Sequence, residues 1–486
     1  MKLPFHNRRP HILFAAIALV STNFPANAQK LITSQSKPSD YSPVNIDQLI
    51  ESAKDIQAAI QSGDIQRQVA AMNRNSALIH QGTPVSSPGR VDIIPVPESV
   101  STTRSVKSSV GRMGAGAGAS SSNRRPGLPS SQPIILTQCQ SITSPGIYIV
   151  NQALANTNGC LQIHDTHDID IECDPSGQIS TDPADHAVAV TNVNGLTING
   201  CTIPGTIYSA VTINKSSRVR ITNSHLGWID VNNSKQSSII NNVIDGYYQQ
   251  HNSSYMTIQG NTIKTSANEI SSAGIITANG SHNLFRDNSV DGSWNGQIDQ
   301  TTKTGADDGI ILQDESWDQI VGNQFANTWD AGIETSGIFN HSTVANNVIR
   351  NTSVGIASYY NTSWTGTTVS NNKVQNAYML LDLVYTPNST GTQSDTVNFK
   401  DNLFEGNELT DPLPSSGSYS PSMVIDFSTG LNGRALAVGK NVMSNNNFGS
   451  KSQLPIINPQ GAIVDGGGNK CAAGQNSETC IGVNLL

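Results

Sequence analysis

Charge and aromatic side chains are both scarce in this sequence: of 486 residues, 13% are charged and 5% are Phe, Trp or Tyr. No apolar run beyond the N-terminus approaches the roughly 20 residues of a membrane helix, which excludes an integral membrane segment there. Stretches rich in Leu, Ala, Glu and Lys are missing as well, so a helical bundle is excluded. Basic excess is absent: 28 Lys and Arg stand against 36 Asp and Glu, a net charge of 28 − 36 = −8. Cysteine is limited to six residues, and no pair has the short spacing that tetrahedral zinc favours.

The N-terminus has a distinct character. Lys2, Arg8 and Arg9 precede an apolar stretch from Ile12 to Phe24, and Ala26-Asn27-Ala28 supplies small residues for cleavage before Gln29. Residues 1–28 therefore read as a secretory signal, and the mature chain is expected outside the cell, in the periplasm or on the surface. Export permits disulfides. Six cysteines allow fifteen connectivities, and pairing between neighbours (Cys139–Cys160, Cys173–Cys201, Cys471–Cys480) is the expectation. Residues 29–133 combine a weak helical pattern over 46–79 with a Pro-, Ser- and Gly-rich linker that includes Gly114–Ser122. This region carries 11 Lys and Arg against 7 Asp and Glu, net +4, whereas 134–486 carries 14 against 29, net −15. An acidic main domain repels nucleic acid and anionic membrane surfaces, and both partners are set aside.

From Cys139 onward one short phrase recurs: an aliphatic residue, two or three polar residues usually including Asn, then another aliphatic or aromatic. Ile239-Ile240-Asn241-Asn242-Val243-Ile244 and Ile258-Gln259-Gly260-Asn261-Thr262-Ile263 are typical. Aligning the polar position gives 201, 224, 242, 261, 288, 323, 347, 372, 402 and 446. A basal period in the low twenties with occasional insertions marks a solenoid. Alternating Ile or Val with Ser, Thr or Asn suits short strands, and Asn tolerates turn geometry. Coils stacked about 4.8 Å apart would let those Asn side chains hydrogen-bond as a ladder.

These phrases, with the opening Cys139-Gln140-Ser141-Ile142, Pro145-Gly146-Ile147-Tyr148 and Cys160-Leu161-Gln162-Ile163, resemble the secreted right-handed parallel β-helix superfamily, the pectate-lyase-like proteins. The resemblance covers about residues 134–465 and implies an all-β solenoid, assigned here to 134–486. It also implies a site in a groove on one outer sheet, flanked by inserted loops.

A second phrase marks where that site would lie. Ala273-Gly274-Ile275, Asp308-Gly309-Ile310, Ala331-Gly332-Ile333 and Val354-Gly355-Ile356 place glycines 309, 332 and 355 at intervals of 23. Stacking them turns Ile310, Ile333 and Ile356 inward and Ile311, Glu334 and Ala357 outward, with Asp307 beneath Asp330. Asp382 extends the outward row if the next coil begins at Leu380. Asp307, Asp308, Asp330 and Glu334 then crowd together, so that one pKa rises or a cation sits among them. Two carboxyls could flank a glycosidic bond as acid and base. Alternatively the cluster holds Ca²⁺ against a uronate while Lys303 or Arg350 removes a proton, as in a polysaccharide lyase. In the plainest alternative, Asp at a strand entrance caps a turn.

The polygalacturonase-like hydrolases carry a lone Asp one coil before an Asp-Asp pair, then Gly-His-Gly and Arg-Ile-Lys. Here the pair comes first, Asp330 follows, and neither later motif occurs. Trp294, Trp317, Trp329, Tyr359, Tyr360 and Trp364 concentrate in the same stretch as the acids and offer apolar faces for sugar rings, or else cover the core. The sequence thus reads as an extracellular polysaccharide-active protein cleaving glycosidic bonds through 307, 308, 330 and 334. A non-catalytic adhesion or glycan-binding protein is the alternative from another class.

Overall fold

A computed structural model describes residues 132–182, 185–205, 209–266, 270–296, 304–384, 396–413, 425–426, 435–448 and 463–470. The helical segment and linker expected before residue 132 lie outside the described residues, as does the Cys471–Cys480 pair. All described regular structure is β, and every registered strand pair is parallel. No helix among the described residues is long and apolar enough to cross a membrane.

The chain winds into coils with three walls. Strands Ile229–Asn232, Tyr248–His251, Ile270–Ala278, Gly305–Ser316, Ala331–Asn340, Val354–Thr365 and Met379–Val384 stack as the first wall. Short strands such as Leu284–Arg286, Gln319–Val321 and Thr343–Ala345 form the second. The third is built from Ser289–Asp291, Gln324–Ala326, Val348–Arg350 and their neighbours. Period-two alternation turns one residue in two inward on each wall. Ile310, Ile333 and Ile356 stack on the first, Ile320 and Val344 on the second, Phe325 and Ile349 on the third, all essentially inaccessible. The core is therefore a column fed by every coil, and each coil buries its neighbours' apolar edges.

The corner between second and third walls carries the asparagine ladder. Asn242, Asn261, Asn288, Asn323, Asn347, Asn372, Asn407, Asn446 and Asn469 are buried one above another. From Asn261 to Asn446 each accepts from the backbone N–H of the Asn before it and donates Nδ2 to the next, as Asn323 N and Nδ2 do to Asn347 Oδ1 at 2.9 and 3.0 Å. The residue just before each rung supplies the left-handed turn: Asn241, Asp287, Asn346, Asn371 and Asn445 have φ between 53° and 56°. Asn402 does not follow Asn372 in the column; Asn407 does, bonded to it at 2.9 Å. Asn402 occupies the preceding corner, accepting from Thr367 N and bonding to Asn441. Asparagines flank the strand Leu403–Glu405 on both sides, so the phrase alone does not tell the two corners apart.

Two disulfides join successive N-terminal coils as expected, Cys139–Cys160 and Cys173–Cys201.

Candidate active site

Glycine fixes the acids at the mouth of the first wall. A Cβ on Gly309 would come within 2.6 Å of Phe325 Cδ1, and Cβ atoms on Gly332 and Gly355 would collide with Ile349 and Val374. Each coil passes so close over the third wall at this corner that only glycine fits. The residues just before it are thereby held in register. Asp330 N donates to Asp307 O at 2.7 Å, Trp329 N to Ala306 O at 3.0 Å, and Ala331 N to the Asp308 carboxyl at 2.8 Å. One turn of chain further, Ile311 pairs with Glu334, Glu334 with Ala357, and Ala357 with Asp382.

This brings together the four acids singled out from sequence. Asp308 is buried, Asp307, Asp330 and Glu334 are half-buried, and Asp308 hydrogen-bonds to Glu334. Burial pushes the Asp308 carboxyl well above the carboxylate range; the charges of Glu334, Asp330 and Asp307 add to this, and the Ala331 N–H opposes it. Glu334 is pushed up to about 8, by burial first and then by Asp330 and Asp307, against the hydrogen bond from Asp308. Burial and the neighbouring negative charge thus favour the protonated form of both carboxyls.

Asp382 joins the cluster as a fifth carboxyl. It is buried, and the Tyr359 hydroxyl donates to its Oδ2 at 3.0 Å. Burial and the charges of Asp330, Asp382 and Glu334 raise the Tyr359 phenol, so this side chain stands among three of the acids. Spacing pointed to the row position of Asp382. Tyr359, expected from sequence to offer its ring to a sugar, instead ties Asp382 to the other acids through its hydroxyl.

The remaining sequence candidates divide. Trp294 lies half-buried at the same mouth, its backbone N–H donating to Asn327 O at 2.9 Å, and Trp329 is buried beside Asp330. Trp317 is at the far corner of the first wall, stacked between His341 at 4.3 Å and His282 at 5.8 Å, with Tyr255 beyond at 4.8 Å. Both faces of its indole are covered, so it turns only an edge to water. Trp364 is core, packed on Phe339 and Phe404 with Nε1 on Thr335 at 3.1 Å. Arg350 is exposed on the outer side of the third wall, in a shallow groove with Asp291, Gln324 and Val348. Arg286 is on the second wall and pairs with Asp287 at 3.2 Å. Alternation sets all these directions, so nearness in sequence does not bring these two arginines to the acids. Lys303 and the side chain of Tyr360 lie outside the described residues.

The family described as "Right handed beta helix region" matches residues 289–409. The chain is a right-handed parallel β-helix. No curated protein matches it. Among solved structures, it is similar to the hyperthermoactive exopolygalacturonase of Thermotoga maritima at 12% identity, over 61% of this chain and 84% of that one, with a TM-score of 0.40. It is also similar to the periplasmic alginate epimerase AlgG (12% identity, 64% and 76% covered, TM-score 0.39). A third is the surface adhesin PfbA of Streptococcus pneumoniae (12% identity, 62% and 78% covered, TM-score 0.36). Each is a likeness of fold.

Proposed function

We propose that this β-helix cleaves a neutral extracellular polysaccharide by acid/base chemistry on the outer face of its first wall. The observation that carries the reading is the hydrogen-bonded Asp308–Glu334 pair beside Asp330 and Asp307. A glycosidic bond needs one carboxyl that keeps its proton at working pH and another that does not, and environments that push two acids apart supply both. Glu334, half-exposed and pushed up to about 8, donates to the leaving oxygen. Buried Asp308 holds it in place by their shared hydrogen bond. Asp330, one coil from Asp307 along the same mouth, receives a proton from water or attacks the sugar carbon.

The balance of charge argues for a neutral chain. Five carboxyls gather here while Arg286 and Arg350 face out from other walls, so a uronate would meet repulsion. A Ca²⁺ ion would relieve it, yet no group of three or more His, Cys, Asp or Glu among the described residues is arranged to hold a metal. In this reading the protons on Asp308 and Glu334 lower the local charge. Action outside the cell is supported by two disulfides in the first coils and by the signal-like N-terminus.

Glu334→Gln and Asp330→Asn, checked for folding by circular dichroism, test the proposal against a panel of neutral glycans. Each is expected to lower release of reducing ends by about a hundredfold or more. Wild-type turnover in Glu334→Gln would overturn the assignment. A folded wild type that binds glycans and releases no ends would favour the adhesion reading, and unsaturated products would favour elimination.

A further inference from the structure

The first wall carries a second set of side chains suited to sugars, four coils before Glu334. Asp230, Gln249, Ile276, Ile311 and Glu334 are successive outward residues in one register. At the start of that row, Trp228 and Tyr247 stack with centroids 4.6 Å apart and planes inclined by 27°. Both are half-buried, and both precede the strands whose inward residues are Ile229 and Tyr248. Unlike Trp317, which is sandwiched on both sides, each of these two rings has one ring neighbour among the described residues.

Asp230 beside them is held rigidly. Its two oxygens accept from Gln249 Nε2 at 2.9 Å and Asn232 Nδ2 at 2.8 Å. Its charge adds to burial in raising the Tyr247 phenol to about 12. Aromatic rings next to a fixed acceptor and an amide form the usual equipment for holding a sugar, the ring covering its C–H face and the polar groups taking its hydroxyls.

We infer that Trp228, Tyr247, Asp230 and Gln249 form a distal subsite that grips a neutral polysaccharide lying along the solenoid axis, with its scissile bond at Glu334. This rests on the catalytic reading above. The row between the two places carries Ile276 and Ile311 and no cation, which matches an uncharged chain. Four steps of about 4.8 Å separate Asp230 from Glu334 by about 19 Å, so a ligand must advance four coils to engage both. Short oligosaccharides reach one end only, and affinity should step up once a chain spans the row.

The experiment uses the full chain carrying Glu334→Gln, so that ligands stay intact, with labelled gluco-, manno-, xylo- and galacto-oligosaccharides two to eight residues long. Affinity should rise at least tenfold between the short and the spanning lengths. Trp228→Ala should remove that step, Trp228→Phe should restore most of it, and Asp230→Asn should weaken long chains several-fold while leaving the shortest unchanged. Asp230→Asn keeps the side-chain shape and decides the matter if Trp228→Ala fails to fold. Long chains held equally by the parent and Asp230→Asn or Trp228→Ala would overturn the subsite, even where wild-type protein cleaves them. A length step abolished by these variants, in a protein that cleaves nothing, would sustain the subsite and overturn the catalytic reading. No binding by any folded form would overturn both.

Discussion

Replacing Asn347 with Ala offers the sharpest test of what holds the coils together. The amide is inaccessible and makes four hydrogen bonds. It accepts from Asn323 N at 2.9 Å and Asn323 Nδ2 at 3.0 Å, and donates to Ile320 O at 2.8 Å and Asn372 Oδ1 at 2.9 Å. These losses are unequal. Asn372 Oδ1 keeps the Asn347 N–H at 3.0 Å, and Asn323 Nδ2 keeps Phe285 O at 2.9 Å. The Asn323 backbone N–H has no second acceptor, and a buried orphan of that kind costs about 1–3 kcal/mol. Adding the lost second bond of Asn323 Nδ2 and the space left by the amide gives about 3–4 kcal/mol. Asn351 serves as control: its side chain also stacks between neighbours, at 2.9 Å from Asn327 and 2.8 Å from Asn376, but it is exposed at φ 54°. Asn351→Gly avoids left-handed strain and should cost less than about 1 kcal/mol. Urea unfolding followed by far-ultraviolet circular dichroism gives both numbers, and amide exchange locates the weakened coils. An Asn347→Ala protein within about 1 kcal/mol of its parent would refute the ladder's role, because water would then be serving as well as the amide.

Stability should fall as pH rises, because Glu315 and Asp318, buried together against Asn283, are both raised by desolvation. Raised carboxyls hold protons in the fold that the unfolded chain releases above about pH 4, so the stabilisation is full below that and is lost through the folded values, at about 1.4 kcal/mol per pH unit per proton. Asp318→Asn should flatten the dependence of the melting temperature on pH, and an unchanged slope would count against the shared-proton pair. In a polysaccharide assay, kcat/KM should drop on the alkaline side near the Glu334 value of about 8, and a flat profile to pH 10 would remove Glu334 as the acid. Replacing Cys173 and Cys201 with Ser opens a loop with a separation of 28 residues and should cost about 3–4 kcal/mol, read by the same urea titration.

The difference between what the residues announced and what they concealed has one physical source. Repetition at a fixed interval averages over many coils, so the aliphatic phrase and its Asn disclosed a solenoid, and three glycines 23 apart disclosed the stacking of Asp307 under Asp330 and of Ile311 beside Glu334. Such reasoning holds within a wall and fails across corners. Arg350 and Trp317 are near the acids in sequence, yet one faces out from the third wall and the other is stacked at the far corner. Asn402 slipped into the wrong column because two corners use the same residue for the same turn. Trp228 and Tyr247 went unnoticed because they lie 60 and more residues before Asp307 in sequence. In a solenoid that interval amounts to a few stacked coils, since separation along the axis counts coils and not residues. The acidity of Glu334 is further still from the sequence: its burial and the charges of Asp330 and Asp307 raise it, and the hydrogen bond from Asp308, held at the tight corner that Gly309 permits, opposes them. Enlarging that glycine should therefore disturb the acidity of Glu334 without touching any carboxyl, by lifting Asp308 out of contact.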